Sequence, residues 1–515
     1  MNEAQAVQPI SGALAGLDVA VLAFLLLAML VIAYLSGRRE KDTGDFFLGG
    51  RRVPALVACL SFVATEVSAV TIIAVPAVGF SENWNYLQFF IGSAAARIFV
   101  AFLFIPVFYR YRCTTIYEFL GHRFGRQTQT AGSVFFFITR LLASAVRLYA
   151  ACLGIAVIMG WTLMQALLLF TFISIAFIAF GGIKAVVWTG AYSAAVFYLA
   201  GGVVAAYLLY EIRGPIADAW RLAADAGKLD LFNLRLSLSD PTTLWAATLN
   251  AFFVGLCVFG TDQELMQRLL TVKTRRSSQH AILGTILAAF PLTCTYLALG
   301  TLLFVFYQQH PFLAPPANSD KILSHFVANA LPHGLRGLIL AAIILASIDS
   351  PLSSLSSSFV TDIYRPLIRR AASERHYLWV SRAGVVGFGI LLAILAYLCC
   401  FLADKGILWL AFKILAVTGG STLGVFLLGL LTRRRANRGN VLAMILSALA
   451  MAALLALSEK GVVDIGWSWL IVFGTALTFL VGYLLGRPAV PPPAPAAGAT
   501  VAPSSNRAEP PPPPP

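Results

Sequence analysis

The chain has 515 residues, 59% of them hydrophobic and only 12% charged, with a formal net charge of +14 and a mean hydropathy of +0.81. That leaves far too little polar surface for a soluble globule of this size, so lipid must be its solvent. The excess of cations could suggest nucleic acid, but they fall in every second loop between apolar tracts, the pattern of topogenic charge, and no nucleic-acid site is expected.

Apolar stretches of about 20 residues recur from Leu14 to Leu485, each long enough to cross a hydrocarbon layer of roughly 30 Å at 1.5 Å rise per residue. They lack the alternating dyads of an outer-membrane barrel, and open strands cannot persist in lipid, so the fold class is all-α and polytopic. About thirteen transmembrane helices are expected, at 17–36, 53–80, 84–109, 131–159, 161–180, 183–210, 243–262, 279–307, 335–361, 377–402, 406–432, 440–458 and 466–486. The first tract is not preceded by Lys or Arg or followed by a small-residue cleavage site, which marks a retained span rather than a secretion signal.

Basic residues follow span one (Arg38, Arg39, Lys41, Arg51, Arg52), span three (Arg110, Arg112, Arg123, Arg126) and span seven (Arg268, Lys273, Arg275, Arg276). They also follow span nine (Arg365, Arg369, Arg370, Arg375) and span eleven (Arg433, Arg434, Arg435, Arg438), while the intervening loops are mixed or nearly neutral. The positive-inside rule then puts the N-terminus outside and the C-terminus in the cytoplasm of a plasma (inner) membrane. Residues 1–16 form the external N-terminus, 17–487 the transmembrane domain, and 488–515 a Pro/Ala-rich tail expected to be disordered. The external segments 211–242 and 308–333 are each long enough for a short surface helix. The seven cysteines are scattered without metal or redox spacing, and no Walker-type glycine loop is present, so ATP is not the expected energy source.

Taken along the chain, the first ionisable residue at depth is Glu66, about 12 residues into span two and so roughly 18 Å deep at helical rise. Its neighbours Ala64, Thr65, Val67, Ser68 and Ala69 are small or polar, and Pro76 and Gly79 follow. This composition suits a discontinuous helix whose freed carbonyls coordinate a cation; a buried structural ion pair at Glu66 is the alternative. Arg97, Arg140, Arg147 and Lys413 also lie within the expected spans, against the carboxylates Glu66 and Asp349, an excess of two positive charges. Arg140 and Arg147 share one face of span four, seven residues apart. An anionic solute would offset such an excess, and a carboxylate is the expected class. In span nine, Ser347 and Ser350 share a face and Asp349 lies one turn from Ser353, an oxygen-rich stretch suited to a hard cation such as Na⁺.

Five ordered blocks resemble the sodium:solute symporter family: Asp45 to Arg51, Ala64 to Ala69, Gly181 to Thr189, Gly260 to Gln263 with Gln267 and Arg268, and Thr361 to Tyr364. The resemblance implies a LeuT-type core of two inverted five-helix repeats, about 53–210 and 243–432, with one helix before and two after. It implies a sodium site built from the backbone carbonyls of Ala64, Val67 and Ile343 and the side chains at positions 346 and 347. The family usually has serine where this chain has Ala346, and often aspartate where it has Gly190 after Trp188 and Thr189. One coupling Na⁺ is therefore expected rather than two, with Asp349, beside Ser350, as a candidate for the lost charge. By the same resemblance, substrate contacts fall to Glu66, Ser68, Thr71, Gln88 and Arg147, with Phe252, Phe253 and Gly255 on the opposite wall.

The expected function is a secondary active symporter coupling inward Na⁺ movement to uptake of a small organic solute. A proton-coupled or sodium-independent transporter, and a membrane sensor that binds solute without carrying it, are the alternatives. An enzyme is not expected, because the histidines lie in loops or at span ends and no convergent catalytic set forms. Solute and lipid bilayer are the expected partners, with no obligatory protein partner.

Overall fold

The computed structural model describes residues 14–37, 43–348, 351–401 and 407–488. Nearly all of the expected N-terminal segment and tail lie outside the described residues, as do Asp349 and Ser350. Among the described residues every regular element is helical, with two isolated bridges, Val53 to Val272 and Arg435 to Arg487.

Among the described residues ten helices are long and apolar enough to cross a membrane, and two bent helix pairs bring the number to twelve, against the thirteen expected. The tract expected at 161–180 contains the apolar stretch Leu163–Ile175, which is shorter than the others. It belongs to one run of helix, Leu163–Glu211, opened by a capping box between Thr162 and Gln165. This run contains both spans of the sequence reading, 161–180 and 183–210. It breaks at Gly182, whose φ of 48° and ψ of −173° is a conformation open in practice only to glycine.

Span two is broken as its composition suggested. Ala55–Glu66 and Ala69–Ser81 meet at a 58° bend, with Val67 and Ser68 out of the helical region between them. Span seven is broken too, which the sequence did not announce: Leu244–Gly260 and Gln263–Leu270 meet at 57°. The block Gly260 to Gln263 therefore does not end the span. Asp262 caps a second, fully buried half by accepting from the Glu264 amide at 2.8 Å, the usual way to satisfy an orphan N-terminal donor.

The segment before span seven holds the helix Ile216–Asp225 with an exposed apolar side that includes Trp220. The one before span nine holds Ile322–Asn329, but Ile322, Leu323, Phe326 and Val327 are buried. That helix is part of the core and not a surface element.

The apolar core falls into two large clusters. Ala58, Cys59 and Phe62, in the first half of broken span two, belong to one, whereas Val63, Ala64, Val67 and the second half belong to the other. The change of cluster falls between Phe62 and Val63, about one turn before the break, so the break itself is enclosed by protein, where backbone not used in helix does not meet lipid.

Candidate functional site

At the break, the donors that a continuous helix would supply are diverted. The Ser68 amide, which would bond the Ala64 carbonyl, donates instead to Glu66 at 3.1 Å. The Thr71 amide, which would bond the Val67 carbonyl, donates to Ser68 at 2.9 Å. The carbonyls of Ala64 and Val67 are thereby released from helical pairing, the arrangement a hard cation needs. In span nine, the Ser347 hydroxyl donates to the Ile343 carbonyl at 3.0 Å, so two oxygens sit side by side. Thr65, Ala346 and Ser347 line one small cavity of about 40 Å³ together with Arg147, Ser144 and Ser174, so the broken helix and span nine share a space that several polar side chains reach. Ala346 presents only a methyl group there.

Gly190 is explained by packing. A Cβ at this position would lie 2.4 Å from the Ser61 Oγ, and Ser61 itself accepts from Arg268 Nε at 3.2 Å. Span six approaches span two too closely for an aspartate.

A larger cavity of about 220 Å³ is lined by Glu66, Ser68, Thr71, Arg147 and Gly255 among others. Five of the eight substrate contacts expected from sequence thus converge on one space. Gln88 is not among its lining residues: it is buried, donates to the carbonyls of Asn85 and Thr242 at 3.0 Å each, and accepts from the Asn233 amide at 3.1 Å. It pins the long loop before span seven. Phe252 and Phe253 are also outside the lining; Phe252 packs edge-on against Phe99 and Phe253. The face of span seven that does line the cavity carries Ala251, Val254, Gly255, Val258 and Phe259, the three-and-four spacing of one helical stripe. That spacing, applied to span seven, selects Phe259 and rejects Phe253, while Phe252 falls at the edge of the stripe.

The expected excess of buried positive charge is corrected by the structure. Arg97 is fully buried, and its Nη2 reaches both Glu66 carboxylate oxygens at 2.5 Å. Its Nη1 donates to Ser93 at 2.6 Å, its Nε to Thr285 at 2.9 Å, and its guanidinium lies 4.4 Å from the centre of the Phe259 ring. Arg140 pairs with Asp262 at 2.9 Å and with Glu264, and Arg268 donates to the Glu264 carbonyl at 2.7 Å. Lys413 pairs with Glu459. The sequence tally missed Asp262 and Glu264 because they read as the end of a span, and Glu459 because it follows one. Arg147 is the cation that lines both cavities.

The model of the sodium:solute symporter family matches residues 46–447. The sodium/sialic acid symporter SiaT of Proteus mirabilis is 29% identical over 446 residues, covering 85% of this chain and 89% of that protein. Sodium-coupled monocarboxylate transporter 2 of Danio rerio is 28% identical over 410 residues, covering 76% of this chain and 64% of that protein. The fold matches that of a Na⁺-coupled sialic acid symporter solved in a substrate-bound, outward-open state. The TM-score is 0.82 at 26% identity, over 91% of this chain and 97% of that one. With a span two broken so that two carbonyls are released from helical pairing, and a family model that matches most of its length, the chain belongs to the sodium:solute symporter family and is a Na⁺-coupled solute symporter of LeuT-type fold.

Proposed function

We propose that this symporter carries a small organic carboxylate inward, with one Na⁺ held by the carbonyls of Ala64, Val67 and Ile343 and the hydroxyl of Ser347. The observation that carries this reading is Arg147 on the wall of the 220 Å³ cavity, one helical turn from Ser144 and within the same small space as Ser347. A guanidinium facing a largely apolar cavity suits an anionic group that can accept its planar fork. The relatives named for sialic acid and for monocarboxylates, both acids, agree with this choice.

Substrate contacts then fall to Glu66, Ser68, Thr71, Arg147 and Gly255. Na⁺ at the break draws span nine toward the broken helix and favours the shape that accepts solute, so ion and solute bind cooperatively. Asp349 and Ser350 remain candidates for a further oxygen near this ion. The charge pattern supports an external N-terminus and a cytoplasmic C-terminus, with the two repeats spanning about 53–210 and 243–432. The work done is carriage rather than chemistry.

A thermal-shift screen of purified protein against sugars, amino acids and carboxylates, with and without Na⁺, tests the reading. Carboxylates should stabilise the protein more in Na⁺ than in K⁺. Stabilisation by neutral sugars alone would overturn it.

A further inference from the structure

Glu66 is an unusual group to find facing a cavity meant for an anion. Its side chain is 26% exposed, whereas its partner Arg97 is 0% exposed. The pair is therefore one-sided: the guanidinium lies behind the wall, and what reaches the cavity is the carboxylate. Arg97 is the only hydrogen-bond partner of that carboxylate among the described residues. Two oxygens offer about four lone-pair sites, and Arg97 takes one on each.

The buried cation also determines what Glu66 does to a solute. Arg97 is fixed by Ser93, Thr285 and the Phe259 ring, so it neutralises the local charge without supplying a donor to the cavity. The outcome is a wall that accepts hydrogen bonds and does not strongly repel an anion held elsewhere. Arg147, on span four, lines the same cavity and can only donate. The rest of the lining is mainly apolar and aromatic, including Tyr86, Phe89, Val254 and Phe412.

We infer that Glu66 is the acceptor end of the solute site, and that the solute is an acid carrying a hydroxyl or ammonium donor for Glu66 as well as a carboxylate for Arg147. This rests on the carboxylate reading above and adds a second group to it. Arg97 is a positioning residue: it touches Glu66 and not the solute. A plain acid of the same length would leave the Glu66 lone pairs desolvated against an alkyl chain, which is costly for a charged group.

The test uses the full-length protein in detergent with Na⁺ and four matched sets of probes three to eight carbons long: unsubstituted acids, ω-hydroxy acids, ω-amino acids, and diols or amino alcohols without a carboxylate. Midpoint shifts against concentration give an apparent affinity for each. At the best length, the hydroxy or amino acid should bind at least about tenfold more tightly than the plain acid, the penalty expected for leaving a polar group unpaired. Glu66→Gln should shrink that ratio to about threefold or less, since a neutral amide is a weaker acceptor. Arg97→Lys should retain part of the ratio.

Plain acids binding as well as their substituted counterparts in the unaltered protein would overturn the inference and leave the carboxylate reading standing. Diols or amino alcohols binding as well as the acids would do the reverse. No binding by any member would overturn both. An unchanged ratio in Glu66→Gln would remove Glu66 from the contact, and the ratio in the unaltered protein decides the matter if that variant does not fold.

Discussion

Arg97 places a single nitrogen 2.5 Å from each carboxylate oxygen of Glu66, while its other nitrogens are bound to Ser93 and Thr285. Every polar edge of a fully buried guanidinium is thereby used. Replacing Arg97 with Met should leave Glu66 facing a cavity without its counter-charge, costing about 2–4 kcal/mol of stability. Arg97→Lys should cost less but not zero, because an ammonium cannot span the three partners. Denaturation midpoints of the two variants in the same detergent check the order.

The ion site gives a paired prediction. Removal of the Ser347 hydroxyl by Ser347→Ala should raise the Na⁺ concentration for half-maximal uptake by about tenfold, equivalent to ~1.4 kcal/mol. Ala346→Ser adds an oxygen to the lining of the same small cavity and should leave that concentration equal or lower. Initial uptake rates across a Na⁺ series measure both, and the reverse order for the pair would remove span nine from the ion site.

At Gly190 the expected outcome is steric. Gly190→Asp should lose about 1–3 kcal/mol of stability through overpacking, since even its Cβ would meet Ser61 at 2.4 Å. The Hill coefficient for Na⁺ should stay near that of the unaltered protein. A gain in Na⁺ cooperativity at full stability would show that space for a second ion exists there.

The bond between Arg140 and the bent end of span seven should behave as a unit. Arg140→Met alone takes the cation from buried Asp262 and leaves Glu264 to Arg268, 4.0 Å away, and should cost about 3–5 kcal/mol. Combined with Glu264→Gln, the loss should be smaller than the sum of the two single variants by about 1–3 kcal/mol. Additive losses would mean that Arg268 alone carries the Glu264 charge.

The break in span two was legible because small and polar residues interrupt an apolar tract around Glu66. Arg147 was legible because a cation at that depth has few bland explanations. Gln88 was not, since its role depends on Asn233 and Thr242, about 150 residues away in sequence, folding back over it. Phe253 points away from the cavity by its angle around the helix, and Phe252, at the edge of the lining stripe, packs instead against Phe99 from span three, a partner that sequence spacing does not reveal. Asp262 and Glu264 looked terminal because a 57° bend has no signature in hydropathy: a polar residue that caps a re-entering half resembles one that ends a span.

The central claim, Na⁺-driven carriage of a carboxylate recognised by Arg147, is tested most directly in proteoliposomes. Uptake of an acid that stabilises the purified protein should require an inward Na⁺ gradient and vanish when a sodium ionophore collapses it. Arg147→Ala, matched for folded protein, should fall below about a tenth of the original rate, as expected for loss of a charge-assisted bidentate contact. Uptake indifferent to the Na⁺ gradient, or undiminished in Arg147→Ala, would contradict it.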